Sequence, residues 1–232
     1  MQVTQDLAGP LDGLRILDLG CGEGVYAVEA ALRGATVLAV DAREDRMGEG
    51  RGIAERHGIE GVEFQLRDAR EVSRERDGGF DAVWCLGLLY HLDSGDALAL
   101  LEESARLAER LLVIDTLVAP HADARAERNG RSYRGTRVRE HEDHDPPQAR
   151  RARVLRSIDS TFAFRFDPES LVRAIGDAGF SSVLECRLPL EPGKADDRIT
   201  LAALRGEPRP LATYPWINGL DEEAIAGRLG GA

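Results

Sequence analysis

Short apolar runs rich in β-branched residues alternate with helical stretches through the first 116 residues, and this alternation restricts the fold more than any other feature. The runs are Arg15 to Gly20, Thr36 to Ala42, Val62 to Asp68, Phe80 to Gly87 and Leu111 to Thr116. Strands so continuously apolar are covered on both faces, and strands separated by helices pair in parallel through right-handed crossovers. The helical intervals carry one apolar face each. Residues 24–33 place Val25, Val28, Ala31 and Leu32 together and stop at Gly34, while residues 94–108 align Leu98, Leu101 and Ala105 after an Asp93 or Ser94 cap. The interval 44–57 contains Gly48, Gly50 and Gly52. At about 1 kcal/mol each against alanine, these predict a short or frayed helix.

Beyond Thr116 the alternation stops for about fifty residues, far longer than the usual connection of roughly 4–6. The segment 117–166 therefore reads as an insertion, within which Phe162, Phe164 and Phe166 alternate as a strand. Order returns with Asp167 as N-cap, Pro168 at the first helical position and Gly179 as the stop. Two further strands, Ser181 to Leu190 and Asp197 to Leu204, are joined by a turn suited to an antiparallel hairpin. The expectation is an α/β fold with a doubly wound sheet of seven strands and helices on both faces. It occupies one domain over 1–232, with the insertion at 117–166 and a Pro-rich tail at 206–232 that ends in a short helix at Asp221 to Arg228.

Composition limits the partners. The chain has 232 residues and a formal charge of −11, which argues against gripping nucleic-acid phosphates or an anionic membrane. No apolar run approaches the roughly 18–20 residues of a membrane span, and the N-terminus shows no secretory signal. Cys21, Cys85 and Cys186 are too scattered for a disulfide framework or zinc site, so a cytoplasmic setting is expected. His141 and His144 lie among Glu140, Asp143 and Asp145, but no distant cluster matches them and no metal is expected.

The first strand runs into Gly20-Cys21-Gly22-Glu23-Gly24 and then a helix, the place where an open α/β sheet binds ligand. The third glycine comes one residue early for a dinucleotide fingerprint, and Asp18 in the strand has the wrong charge for a pyrophosphate. Asp41 ends the second strand, where a carboxylate can accept ribose hydroxyls, and Asp68 ends the third, within reach of an adenine amine. Three acids in register with one glycine loop point to a cationic adenosine ligand.

Leu17 to Gly24, Val37 to Ala42, Leu66 to Ala69 and Phe80 to Leu92 together resemble the class I S-adenosylmethionine-dependent methyltransferase family over about residues 11–204. The resemblance implies a seven-stranded Rossmann-like sheet in the order 3-2-1-4-5-7-6 with strand 7 antiparallel, and S-adenosylmethionine (SAM) as cofactor, released as S-adenosylhomocysteine (SAH). Carried over by position, Gly20, Cys21, Gly22 and Gly24 line the methionine half and Asp18 lies near its positive groups. Asp41 with Ala42 holds the ribose, Asp68 with Ala69 meets adenine, and Cys85, Leu86 and Gly87 flank the sulfonium and amino group.

Methyl transfer requires alignment and sometimes removal of a proton. His91, beside Tyr90 after the fourth strand, is the candidate base, or else a residue that shapes the pocket; both are catalytic candidates. Cys85-Leu86-Gly87-Leu88 stands where the amino-purine branch of the family has an Asn/Asp-Pro-Pro-Tyr turn, and Cys85 lacks the context of a nucleophile. Tyr90-His91 also resembles tRNA wobble-uridine carboxymethylating enzymes, against which the acidic charge and missing extra domain weigh. Residues 120–156 hold ten arginines against six acids. Placed as a lid over the mouth, they would offer Tyr133, Arg134, Arg139 and His141 to substrate. A small-molecule acceptor is expected, with O-methylation ahead of N- or C-methylation; a SAM-binding partner protein without turnover is the alternative. The oligomeric state stays open.

Overall fold

The computed structural model describes residues 1–187 and 197–207. The inter-strand turn at 191–196, the strand end at Leu190 and the terminal helix at Asp221 to Arg228 lie outside the described residues.

The first five strands, and the helices that follow the first and fourth of them, fall close to where local sequence puts them. β1 (Arg15–Leu19), β2 (Thr36–Asp41), β3 (Val62–Leu66), β4 (Phe80–Leu86) and β5 (Ala108–Leu117) are joined by α2 (Val25–Leu32), α3 (Glu44–His57), α4 (Arg74–Asp77) and α5 (Ser94–Leu107). Ahead of them, α1 (Gln2–Ala8) carries no sequence signal that predicts it. It is fixed by tertiary packing, with Ala8 in the core and Trp84 Nε1 donating to Thr4 Oγ1 at 2.9 Å. Asp93 caps α5 through the Asp96 amide.

β9 (Ser182–Glu185) and β10 (Arg198–Leu204) complete a seven-stranded sheet in the order β3-β2-β1-β4-β5-β10-β9. β10 runs antiparallel to both neighbours, and the first five strands are parallel. Leu19 pairs with both Val40 and Cys85, so the carboxyl ends of β1, β2 and β4 are level and their loops leave the sheet together. Alternation along the strands divides the core in two. Ile16, Val37, Ala82 and Trp84 cluster with residues of α1 and α2, whereas Leu17, Leu38, Val83 and Leu112 cluster with residues of α5 and of α7 (Pro168–Ala178).

The interval 44–57 departs from expectation: α3 is an unbroken helix of 14 residues. Helix propensity loses here to packing, because a Cβ on Gly50 would overlap the Glu23 carbonyl and lie 3.0 Å from the Phe64 ring. Gly50 lets α3 press against the glycine loop.

The insertion folds as a second antiparallel sheet of β6 (Ala124–Arg128), β7 (Arg131–Arg139) and β8 (Phe162–Phe166), with α6 (Pro147–Ala152) between the last two strands. Phe164 and Phe166 enter the main core, Phe162 lies under the guanidinium groups of Arg137 and Arg139, and the Phe164 amide donates to the Leu92 carbonyl at 2.8 Å.

The two glycines of α3 therefore predict opposite outcomes. Gly50→Ala should destabilise by about 1–3 kcal/mol through overpacking, whereas Gly48→Ala, with open space at its Cβ, should stabilise by up to about 1 kcal/mol. Thermal denaturation of the two variants checks both signs.

Candidate functional site

The level strand ends open onto a cavity of about 540 Å³. Its floor is the glycine loop. Gly20, Gly22 and Gly24 all adopt left-handed backbone, and at Gly24 (φ 73°) a Cβ would also overlap the Phe64 ring. The Gly20 and Cys21 amides donate to the Val40 carbonyl, and the Gly22 amide donates to Asp41 Oδ2 at 2.9 Å. Asp41 Oδ1 accepts from the Arg43 amide at 2.9 Å. One carboxylate thus clips the loop to the end of β2, and each oxygen keeps a lone pair for a further donor.

Asp18 lies on the same floor. It is 2% exposed, and its Oδ2 has no hydrogen-bond partner. Burial, reinforced by the charge of Asp41, pushes its pKa from 3.8 up to about 7. Asp18 therefore favours folding most below pH 3.8, and that contribution is lost as pH rises toward about 7. A buried, unpartnered carboxylate facing a cavity calls for a cationic ligand. Burial and the neighbouring acids push the Cys21 thiol far up, and burial first pushes Cys85 up to about 12, so both stay protonated at neutral pH.

Ala42, Asp68, Ala69 and Leu86 line the same cavity. Asp68 is engaged differently from its sequence expectation: it caps the turn at Ala69–Glu71 and pairs with Arg70 at 2.6 Å. Burial raises its pKa, but the hydrogen bonds from Arg70 outweigh that and hold it low. Cys85 lies under this floor, fully buried, and is not part of the lining.

Tyr90 and His91 form the opposite wall, their rings 4.3 Å apart, with Arg198 of β10 reaching over Tyr90. His91 Nδ1 lies 3.3 Å from Glu140 of the insertion. The cover is the segment 154–158, where Val154, Leu155, Arg156, Ser157 and Ile158 line the cavity. It is tied down from the floor. The Arg43 guanidinium donates to the carbonyls of Arg151, Arg153, Arg156 and Ser157, while Arg70 pairs with Asp159 at 2.6 Å.

The four insertion residues expected at the substrate do not line the cavity. Tyr133 is buried against Phe166 and donates to Asp177, because its alternate position in β7 faces the core. Arg134 pairs with Asp167 at the start of α7, and Arg139 stacks on Phe162 and pairs with Asp143. His141 is 2% exposed, held between the Ser157 carbonyl and Arg153. Local sequence does not point to Arg198, to the 154–158 cover or to Glu140 as the partner of His91. No motif marks Arg43 either, although its place two residues past Asp41 is a local signal.

A family model described as a methyltransferase domain matches residues 16–110, which run from β1 into β5 and stop short of the insertion. Over 85 residues the chain is 35% identical to a ubiquinone biosynthesis O-methyltransferase of Acinetobacter baumannii, covering 37% of this chain and 36% of that protein. Over 95 residues it is 37% identical to the protein of the same name from Bordetella avium, covering 40% and 38%. The matched part spans little more than a third of these relatives' length. Among solved structures, the N-terminal domain of EvdMO1 in the presence of SAH and D-fucose is 27% identical, with a TM-score of 0.69 over 88% of this chain and 80% of that one. Magnesium protoporphyrin IX methyltransferase from Synechocystis with bound SAM shares the fold at 23% identity, with a TM-score of 0.55 over 85% and 73%.

The Arg43 clasp predicts a local effect. Arg43→Ala should speed tryptic cleavage at Arg151, Arg153 and Arg156 roughly tenfold or more while leaving the melting temperature nearly unchanged. Timed proteolysis followed by mass spectrometry reads it.

Proposed function

Because the chain belongs to the class I S-adenosylmethionine-dependent methyltransferase family, we propose that it transfers a methyl group from SAM to the hydroxyl of a small molecule. The observation that carries this reading is Asp18, a buried acid lacking a partner on one oxygen, set between left-handed glycines and the Asp41 clip at the mouth of the cavity. Asp18 meets the ammonium of the cofactor, Asp41 with Ala42 takes the ribose hydroxyls, and the glycine loop from Gly20 to Gly24 gives the methionine half a close approach. Asp68 and Ala69 border the adenine, and Leu86 borders the sulfur, with Cys85 supporting from beneath. Bound there, SAM supplies an electrophilic methyl carbon.

The acceptor lies between the Tyr90–His91 wall and the 154–158 cover. Val154, Leu155 and Ile158 hold its apolar body and exclude water. The imidazole of His91 takes the hydroxyl proton. O-methylation is favoured because a neutral hydroxyl needs such a base, and because relatives that match 35–37% over the cofactor half are named O-methyltransferases. The insertion is part of this one domain, and no helix among the described residues is long and apolar enough to cross a membrane. A cytoplasmic setting fits the three free thiols.

Incubation with methyl-labelled SAM and small-molecule extracts tests the proposal. A labelled product supports it, and cofactor binding without any product across extracts favours the non-catalytic alternative. Asp41→Ala should weaken SAM binding by about 1–3 kcal/mol through lost charge-assisted hydrogen bonds, as read by calorimetry. Asp18 carries a proton below its folded pKa of about 7, and a bound ammonium expels it. At about pH 6, SAM binding should therefore release close to one proton, detected as a dependence of binding heat on buffer ionisation enthalpy. Asp18→Asn should abolish that release.

A further inference from the structure

β7 ends at Arg139, and the next side chain turns inward: that of Glu140 is only 2% exposed. Its backbone is held by the Glu140 amide donating to the Thr161 carbonyl at 2.9 Å. Its Oε2 accepts from the Ser157 amide at 2.7 Å and lies 3.3 Å from His91 Nδ1. One oxygen thus meets a donor from the cover and a ring nitrogen from the wall. Burial raises the pKa of Glu140, but the contacts with His91 and the Ser157 amide, with the charge of Arg156, outweigh it and hold the group ionised. A carboxylate only accepts hydrogen bonds. The His91 ring can meet it only with a proton on Nδ1, which in the neutral imidazole leaves the lone pair on Nε2. Among the described residues no protein group hydrogen-bonds Nε2, and the ring lines the cavity.

We propose that Glu140 is a positioning residue that fixes His91 as the Nδ1–H tautomer, so that Nε2 is the nitrogen presented to the acceptor. The insertion thereby contributes to proton removal without touching the acceptor through this residue. What the tautomer is used for rests on the methyl-transfer reading; the tautomer itself does not.

The test is long-range proton–nitrogen correlation spectroscopy on the full chain with ring-labelled histidine at about pH 8, above the ordinary histidine range. The His91 signals are assigned by their loss in His91→Asn. A charge-assisted hydrogen bond corresponds to a tautomer ratio of about ten or more, so Nδ1–H should dominate at His91 by that factor. Glu140→Gln, which keeps an acceptor oxygen, should retain the preference. Glu140→Ala should lose it, and Glu140→Met, which fills the same space without an acceptor, gives the same reading if the alanine variant fails to fold. Nε2–H or an even mixture at His91 in the native chain overturns the proposal, as does an unchanged tautomer in the alanine or methionine variant. Calorimetry with SAM and SAH is run alongside. Absence of binding with an Nδ1–H tautomer refutes the methyl-transfer reading and leaves the positioning role standing, while binding with the wrong tautomer does the reverse.

Discussion

The carboxylate of Asp41 is the point on which the arrangement of the cavity depends. Its two oxygens accept from the amides of Gly22 and Arg43, and so join the loop after β1 to the loop after β2. Parallel pairing makes this join possible, since it sets the ends of β1, β2 and β4 at one height. With the loop clipped, its three left-handed glycines open toward ligand and α3 seats against it through Gly50. The same residue stretch continues into Arg43, whose side chain gathers the carbonyls of the cover. Floor and cover are therefore parts of one hydrogen-bonded unit.

Charge is distributed to match. A neutral or anionic ligand would leave Asp18 as a desolvated acid in a low-dielectric pocket, whereas a cation supplies the interaction its surroundings withhold. Other acids near the mouth are already compensated: Asp68 by Arg70, and Glu23 by Arg46 at 2.9 Å. The local preference of this floor for positive charge thus lies in the one acid left unpaired, not in the net charge of −11.

The insertion shows how little a charge count reveals. Its arginines are largely structural: Arg128, Arg131 and Arg134 fasten the added sheet to the body through Glu102, Asp177 and Asp167, while Arg139, Arg150 and Arg153 bond within the insertion itself. Its aromatic residues are structural too, with Phe164 and Phe166 extending the core. What lines the cavity is the short segment 154–158, and one buried acid, Glu140, stands behind the wall against His91.

Strands, caps and the glycine loop were legible in the sequence because they follow from neighbours a few positions apart: apolar alternation, Asp93 and Asp167 before helices, Asp18 and Asp41 at strand ends. Local reading failed where a distant contact reverses a local preference. Gly50 weakens a helix by itself and is required where that helix meets the Glu23 carbonyl. Tyr133 and His141 look like substrate groups in a polar, arginine-rich stretch, yet strand pairing turns Tyr133 inward and the Ser157 carbonyl and Arg153 enclose His141. Glu140 and His91 are 49 positions apart and meet only because β8 docks on the turn after β4. The sequence by itself determined the α/β sheet and the acids placed at its carboxyl edge, since periodicity and strand ends are local properties. Only the tertiary structure decided which side chains of the insertion face the cavity, since that depends on strand register and on contacts between segments the chain order keeps apart.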